Sequence, residues 1–358
     1  MEESLFIKWV QKFFPGITIR VVETLNGEDR IASYLHRTML RKEESVDGKW
    51  NSLLSDNVTV AADIVAMDSS LPLKSRPAIS AANGDIPKMG MELKLNENQL
   101  TALDTLVAKN ATDAQIIAKL FADTPRCITG IYEQNEATFL QGLSTGVVLV
   151  DSNNVGTGVR LDYNYLSANK FGAAVVWSGS PTPVTDCQRV ISKASEKGHT
   201  IRYIMMDRTS FNRMRNSAEG KSLYAVSTGN FGSTQLVPTA VQFNSAFKDE
   251  TGAEIIIVER SVNFEKDGVK TNVKPWSAGK VVFLTSLEVG SLIWATLAET
   301  NHPAKNVTYS LVDDFILVSK YVLNKPSTAE FTSSQARVVP VISNVDQIYL
   351  LDTLVVQS

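Results

Sequence analysis

The chain has 358 residues, of which 44% are hydrophobic and 20% charged, so it can bury a sizeable core and is far from the composition of a disordered polymer. At roughly 150 residues per domain the length predicts two or three domains. Its 35 basic and 38 acidic residues are mixed along the sequence for a net charge of -3, which excludes the basic stripe of a sequence-reading nucleic-acid protein.

The start, "MEESLFIKWVQKFFPG", lacks the basic flank and continuous apolar stretch of a secretory signal, and no segment reaches the roughly 18 apolar residues of a membrane span. The expectation is a soluble chain, made inside the cell, with no membrane partner. Residues 1–60 mix a short amphipathic start around Phe6, Trp9, Val10 and Phe13 with polar stretches and read either as an arm of modest structure or as an ordinary N-terminal subdomain. Over 71–97, Asn83-Gly84 is a hairpin-turn signal, and Met89, Met91, Leu93 and Leu95 alternate with Gly90, Glu92 and Lys94. A two-stranded ribbon is expected there. Pro72, Pro77 and Pro87 argue against a central strand pair, and an isolated ribbon needs a surface to lie on.

Helical spacing follows at Leu100, Leu103, Leu106 and Val107, then from Asp113 through Ile116, Ile117, Leu120 and Phe121. A long helix is predicted from Thr124 as cap and Pro125 as first residue to about Leu143. Its end, "GLSTG", has the G-x-S-x-G spacing of a serine hydrolase's nucleophile elbow at Gly142, Ser144 and Gly146. That elbow requires strand, turn, helix, whereas the order here is helix, turn, strand, with Gly146 where a left-handed residue ends a helix. Glu133 and Glu136 on this helix are expected on a solvated face or at an intersubunit contact. The stretch 160–304 reads as a mixed α/β domain: a helix from Thr182 and Pro183 to Gly198, the strand "IRYIMM", a helix capped by Asp207, and the strands "EIIIVER" and "GKVVFL". "VGTGV" at 155–159 lacks the full dinucleotide-binding glycine pattern. The last fifty residues are rich in strand formers, with Pro326 and Pro340 as breaks and Asp313-Asp314 as adjacent acids on opposite faces of a strand. Cys127 and Cys187 lack metal or redox spacing, and His36, His199 and His302 stand apart. Neither a catalytic constellation nor a cofactor or metal site is read from the sequence.

In order and spacing, "AADIVAMDSSLPLKSRP" with "NGDIPKMGMEL", "FLQGLSTG", "IRYIMMDRTSFNRMRNS", "PWSAGKVVFLTSLEVGSL" and "DDFILVSKYVLNKP" with "RVVPVI" resemble the major capsid proteins of tailed bacteriophages and prophages. The resemblance covers most of the chain. It implies an α+β fold of the Hong Kong 97 type, with an N-terminal arm over 1–60 and an extended β-hairpin loop over 61–97. A peripheral domain over 98–150 and 305–358 would carry a long spine helix, and an axial α/β domain would occupy 151–304. The last strands could return to the axial domain. It assigns Asn83, Gly84, Lys88, Met89, Met91 and Leu93 to intersubunit contact, and Pro125, Ile128, Tyr132, Glu136, Phe139 and Leu143 to the spine helix.

The implied function is structural: self-assembly as pentamers and hexamers into an icosahedral head in the bacterial host, enclosing double-stranded DNA without sequence specificity. Scaffold, portal and head-completion proteins are the implied further partners, and no enzyme activity is expected. An encapsulin-like compartment shell and an α/β enzyme of unknown reaction are the alternatives. Deleting 78–91 is expected to leave a folded subunit that cannot assemble.

Overall fold

The computed structural model describes residues 3–25, 34–54, 80–149, 160–179, 181–227, 229, 237–266, 268–324 and 327–357. The glycine-containing stretch 155–159 and Pro326 lie outside the described residues. Two compact units divide the chain: residues 1–50, 84–136 and 291–340 in one, and 51–83, 137–290 and 341–358 in the other. In these divisions 1–50 and 291–304 fall in the first unit, away from the expected boundaries, while 341–358 fall in the second with 137–290, the return that the reading of the last strands allowed for.

The first unit is built on a sheet in the order Leu40–Glu44, Gly290–Ala295, Ala329–Ile342, Ile316–Leu323, Thr308–Val312, with Lys88–Leu95 also paired to Ala329–Ile342. Its chain start is a helix, Ile7–Thr24, which fits an N-terminal subdomain better than an arm of modest structure. Val10, Phe14 and Thr18 form its buried stripe. Phe14 stacks on Phe121 at 6.0 Å between ring centroids, and the Thr18 and Ser310 hydroxyls share a 2.7 Å hydrogen bond. This packing carries the helix through Pro15, whose missing N–H would otherwise break it.

Helix Glu97–Ala108 opens with a capping box: Asn96 accepts from the Gln99 amide at 3.1 Å, and the Gln99 side chain accepts from the Asn96 amide at 2.9 Å. Asp113–Leu120 follows, and Thr124–Thr145 is the expected long helix. The Ser334 hydroxyl donates to the Cys127 carbonyl at 2.7 Å, and the Cys127 thiol donates to the Thr332 carbonyl at 3.3 Å, which ties the long helix to the long strand. Gly130 lies close under the Met91 side chain, whose sulfur would have to move to admit a methyl group at that position.

Three expectations fail in this unit. Asn83-Gly84 does not turn a hairpin between 71–82 and 88–95; it lies inside the strand Ser80–Asp85, which pairs with Lys49–Leu54. The alternating stretch Lys88–Leu95 instead pairs antiparallel with the long strand, from Glu330↔Leu95 to Arg337↔Lys88. A partner some 240 residues away in sequence thus outcompetes the local turn signal. Asp313-Asp314 lies in a turn rather than a strand, both residues at positive φ (54° and 74°), a conformation that short polar side chains tolerate. Pro340 lies inside Ala329–Ile342 without ending it, beyond Gln335 and Arg337, the last residues paired to Ile316–Leu323 and Lys88–Leu95.

The second unit has a sheet in the order Lys170–Ala173, Tyr349–Val356, Lys280–Leu284, Tyr203–Asp207, Glu254–Val258. Helices Pro183–Glu196, Arg208–Asn216 and Ala240–Thr251 pack on it through a core that includes Cys187, Val190, Phe211, Phe243 and Phe283. Pro183 is the first residue of its helix, Gly198 has φ 79° just past its end, and Asp207 caps the next helix by accepting from the Ser210 amide at 2.8 Å. The buried Asp186 carboxylate accepts from the Ala174 amide at 2.9 Å, the Trp177 indole at 3.0 Å and Arg189 at 3.0 Å. That arrangement compensates the cost of burying its charge.

Candidate assembly surfaces

The ribbon of Lys49–Leu54 and Ser80–Asp85 brackets residues 55–79. Its base is fixed by Trp50, 2% exposed, whose indole lies where a Cβ on Gly84 would come within 2.9 Å. The Ile86 amide donates to the Gly48 carbonyl at 3.0 Å just below. Sequence reasoning missed Trp50, which sits in a polar stretch with no periodicity around it.

Of the residues expected at intersubunit contacts, Asn83 and Gly84 lie on this ribbon, while Lys88, Met89, Met91 and Leu93 lie on the adjoining sheet strand. Met89, Met91 and Leu93 are half-buried, opposite Ala336, Ser334 and Thr332. Lys88 pairs with Glu299 at 2.7 Å and holds that carboxyl below the usual range. A deletion of 78–91 would therefore cut into the sheet, so its expected outcome changes from a folded subunit to a misfolded one.

On the long helix, Ile128, Tyr132, Glu136, Phe139 and Leu143 are all buried, and Pro125 is partly exposed. Glu136 is not on a solvated face: its carboxylate accepts from the Leu35 and His36 amides, both at 3.0 Å, and lies 2.6 Å from His36 Nδ1. Glu133 accepts from the Tyr34 hydroxyl at 3.0 Å. Tyr132 donates to Asp313, which also binds Lys42, and burial beside that carboxylate pushes the phenol pKa well up. The segment from Tyr34 to Lys42 is thus clamped to the long helix and to the Asp313 turn. No local signal links residues 100 positions apart.

Ser144 is fully buried at the end of the helix, donating to the Gln141 carbonyl at 3.2 Å and accepting from the Ser277 amide at 3.1 Å. Gly146 follows at φ 80°. A hydroxyl held this way is a structural tie and cannot meet a substrate. Burial pushes the Cys127 thiol up to about 12 and the Cys187 thiol higher still, so neither offers a ready thiolate. His199 Nδ1 meets the Tyr349 hydroxyl at 2.7 Å. Among the described residues, no group of His, Cys, Asp and Glu is placed to hold a metal, and no helix is long and apolar enough to cross a membrane.

No protein-family model and no curated protein matches the chain. Among solved structures it is similar to a protein described as a prophage capsid protein of Escherichia coli CFT073, at 12% identity and a TM-score of 0.56, over 98% of this chain and 99% of that one. It is also similar to a phage-related protein of Bordetella bronchiseptica RB50, at 11% identity and a TM-score of 0.51, over 95% of this chain and 96% of that one. The class is set by this likeness: a mixed α and β fold of the kind found in phage capsid subunits. In particular, it is the Hong Kong 97-type fold, shared along nearly the whole chain.

Proposed function

We propose that this chain is a major capsid protein that assembles as pentamers and hexamers into the icosahedral head of a tailed phage or prophage. The observation that carries the proposal is the end-to-end match to a prophage capsid protein, 98% of one chain on 99% of the other. Supporting it, Ser144, Asp186 and Glu136 are each engaged in ties inside the described fold. The role is structural, and the location is the virion shell.

In this reading the ribbon of Lys49–Leu54 and Ser80–Asp85 marks the base of the extended loop, which moves the loop's boundary from 61–97 to about 49–85. The long helix is the spine. A closed shell needs one chain to make several weak, different contacts that close by symmetry, and linked contacts reinforce one another through effective concentration. Double-stranded DNA, enclosed without base contacts, is compatible with a net charge of -3 because solvent cations screen the repulsion. Scaffold, portal and head-completion proteins complete the partner set.

Gly84→Val tests the loop assignment. The added atoms collide with the Trp50 indole, so the ribbon base should distort while the rest of the subunit stays folded. Circular dichroism should be native-like, and electron microscopy should find few or no shells. Normal shells from this variant would count against the assignment.

A further inference from the structure

The hairpin of Val262–Lys266 and Val269–Val273 forms a sheet of its own, and its second strand is exposed at every residue. Pairing runs from Val262↔Val273 to Lys266↔Val269. The loop between them is two residues long, with Gly268 at φ 78°. In such a hairpin the closing pair exchanges its hydrogen bonds, and every second pair does so thereafter. Lys266↔Val269, Phe264↔Thr271 and Val262↔Val273 are therefore the bonded pairs. Lys270 and Asn272 turn their N–H and C=O groups to the outer edge, where no described strand is paired.

The side chains sort by face. Lys270 lies 3.8 Å from Glu265, and Asn272 donates to Asn263 at 2.8 Å, both on the polar face. The other face carries Val269 and Val273, 67% and 40% exposed, with Thr271 between them. Isolated two-stranded ribbons are marginal in water, and an exposed edge of β-branched residues is a template for another strand.

The strand's own sequence, "VKTNV", can serve as that other strand. Turned antiparallel on a second copy, it has three registers that engage its outward groups. Centring on Lys270 sets that lysine against itself, and centring on Asn272 sets it against Lys274; like charges directly opposite destabilise a pair. Centring on Thr271 sets Lys270 against Asn272, Val269 against Val273 and Thr271 against Thr271.

We infer that the Val269–Val273 strands of two copies of this chain join edge to edge in this register, making a four-stranded intersubunit sheet with the valines of both copies on one face. The inference rests on the capsid reading for the crowding that brings copies together.

The test is disulfide trapping in the full chain. Opposed residues of a non-bonded antiparallel pair have Cα atoms about 4.5 Å apart, within disulfide range, so Thr271→Cys should link two copies under mild oxidation. Val269→Cys should not, since four positions of stagger separate its two copies by about 13 Å. Cys127 and Cys187 are buried and do not compete. The expected result on non-reducing gels is at least about tenfold more covalent dimer for Thr271→Cys than for Val269→Cys. Absence of the Thr271→Cys dimer, or equal dimer from both variants, overturns the inference whether or not shells form. Shells counted in the same samples report on the capsid reading separately: shells without the dimer overturn the contact alone, and dimers without shells support the contact while counting against the capsid.

Discussion

Two hairpins of this chain share a local design and end in opposite surroundings. Val262–Lys266 with Val269–Val273 closes through Gly268 at φ 78°, and Thr308–Val312 with Ile316–Leu323 closes through Asp313 and Asp314 at 54° and 74°. Ile316–Leu323 is buried from 316 to 322, whereas Val269–Val273 is exposed throughout. Each contains a lysine. Lys320 is fully buried and donates to the Leu120 carbonyl at 3.1 Å and Thr332 at 3.0 Å, with Glu330 3.5 Å away; Lys270 has Glu265 at 3.8 Å on an open face. The first hairpin is finished within one chain. The second keeps its outer strand exposed and, among the described residues, unpaired along its outer edge.

The largest effect should come from the finished hairpin. Burial pushes the Lys320 pKa down, and Glu330, held by the Ser4 hydroxyl at 2.6 Å, is its counter-ion. Glu330→Ala leaves that ammonium alone in the core and should cost about 3–5 kcal/mol in urea unfolding. The double variant Lys320→Met, Glu330→Leu should recover most of this, because an apolar pair of similar volume avoids both desolvation costs. A single variant as stable as the parent would mean that the pair is not buried as described.

A smaller loss is expected at the end of the long helix. Gly146→Ala forces a Cβ at φ 80° to within 2.7 Å of the Tyr165 ring and should cost about 1–3 kcal/mol, read as a lowered thermal midpoint. The smallest effect belongs to the open hairpin. Lys270→Ala removes a pair whose members are 75% and 57% exposed, so the unfolding midpoint should not move measurably. A clear loss there would show that the ribbon is finished within its own chain and would erase the contrast.

Much of the fold was legible where signals are local. Thr124 and Pro125 opened the long helix, Pro183 and Gly198 bounded another, Asp207 capped a third, and Gly146 took the left-handed position that removes Ser144 from chemistry. What was not legible is set by distant partners. Lys88–Leu95 looked like half a ribbon because its alternation is the same against any neighbour, and the long strand that claims it lies over 230 residues downstream. The helix through Pro15 owes its continuity to Phe121 and Ser310, and the Glu136 clamp to residues 100 positions upstream. The "KDGV" stretch at 266–269, which sequence reasoning missed, holds an Asp-Gly dipeptide of the hairpin kind between the paired strands Val262–Lys266 and Val269–Val273.

The most direct test of the capsid assignment is electron microscopy of the purified full chain across a range of concentrations, with light scattering on the same samples. The account predicts closed shells, or rings of five or six that grow with concentration. A uniform monomer at every concentration, with crowding agents present and absent, would contradict it.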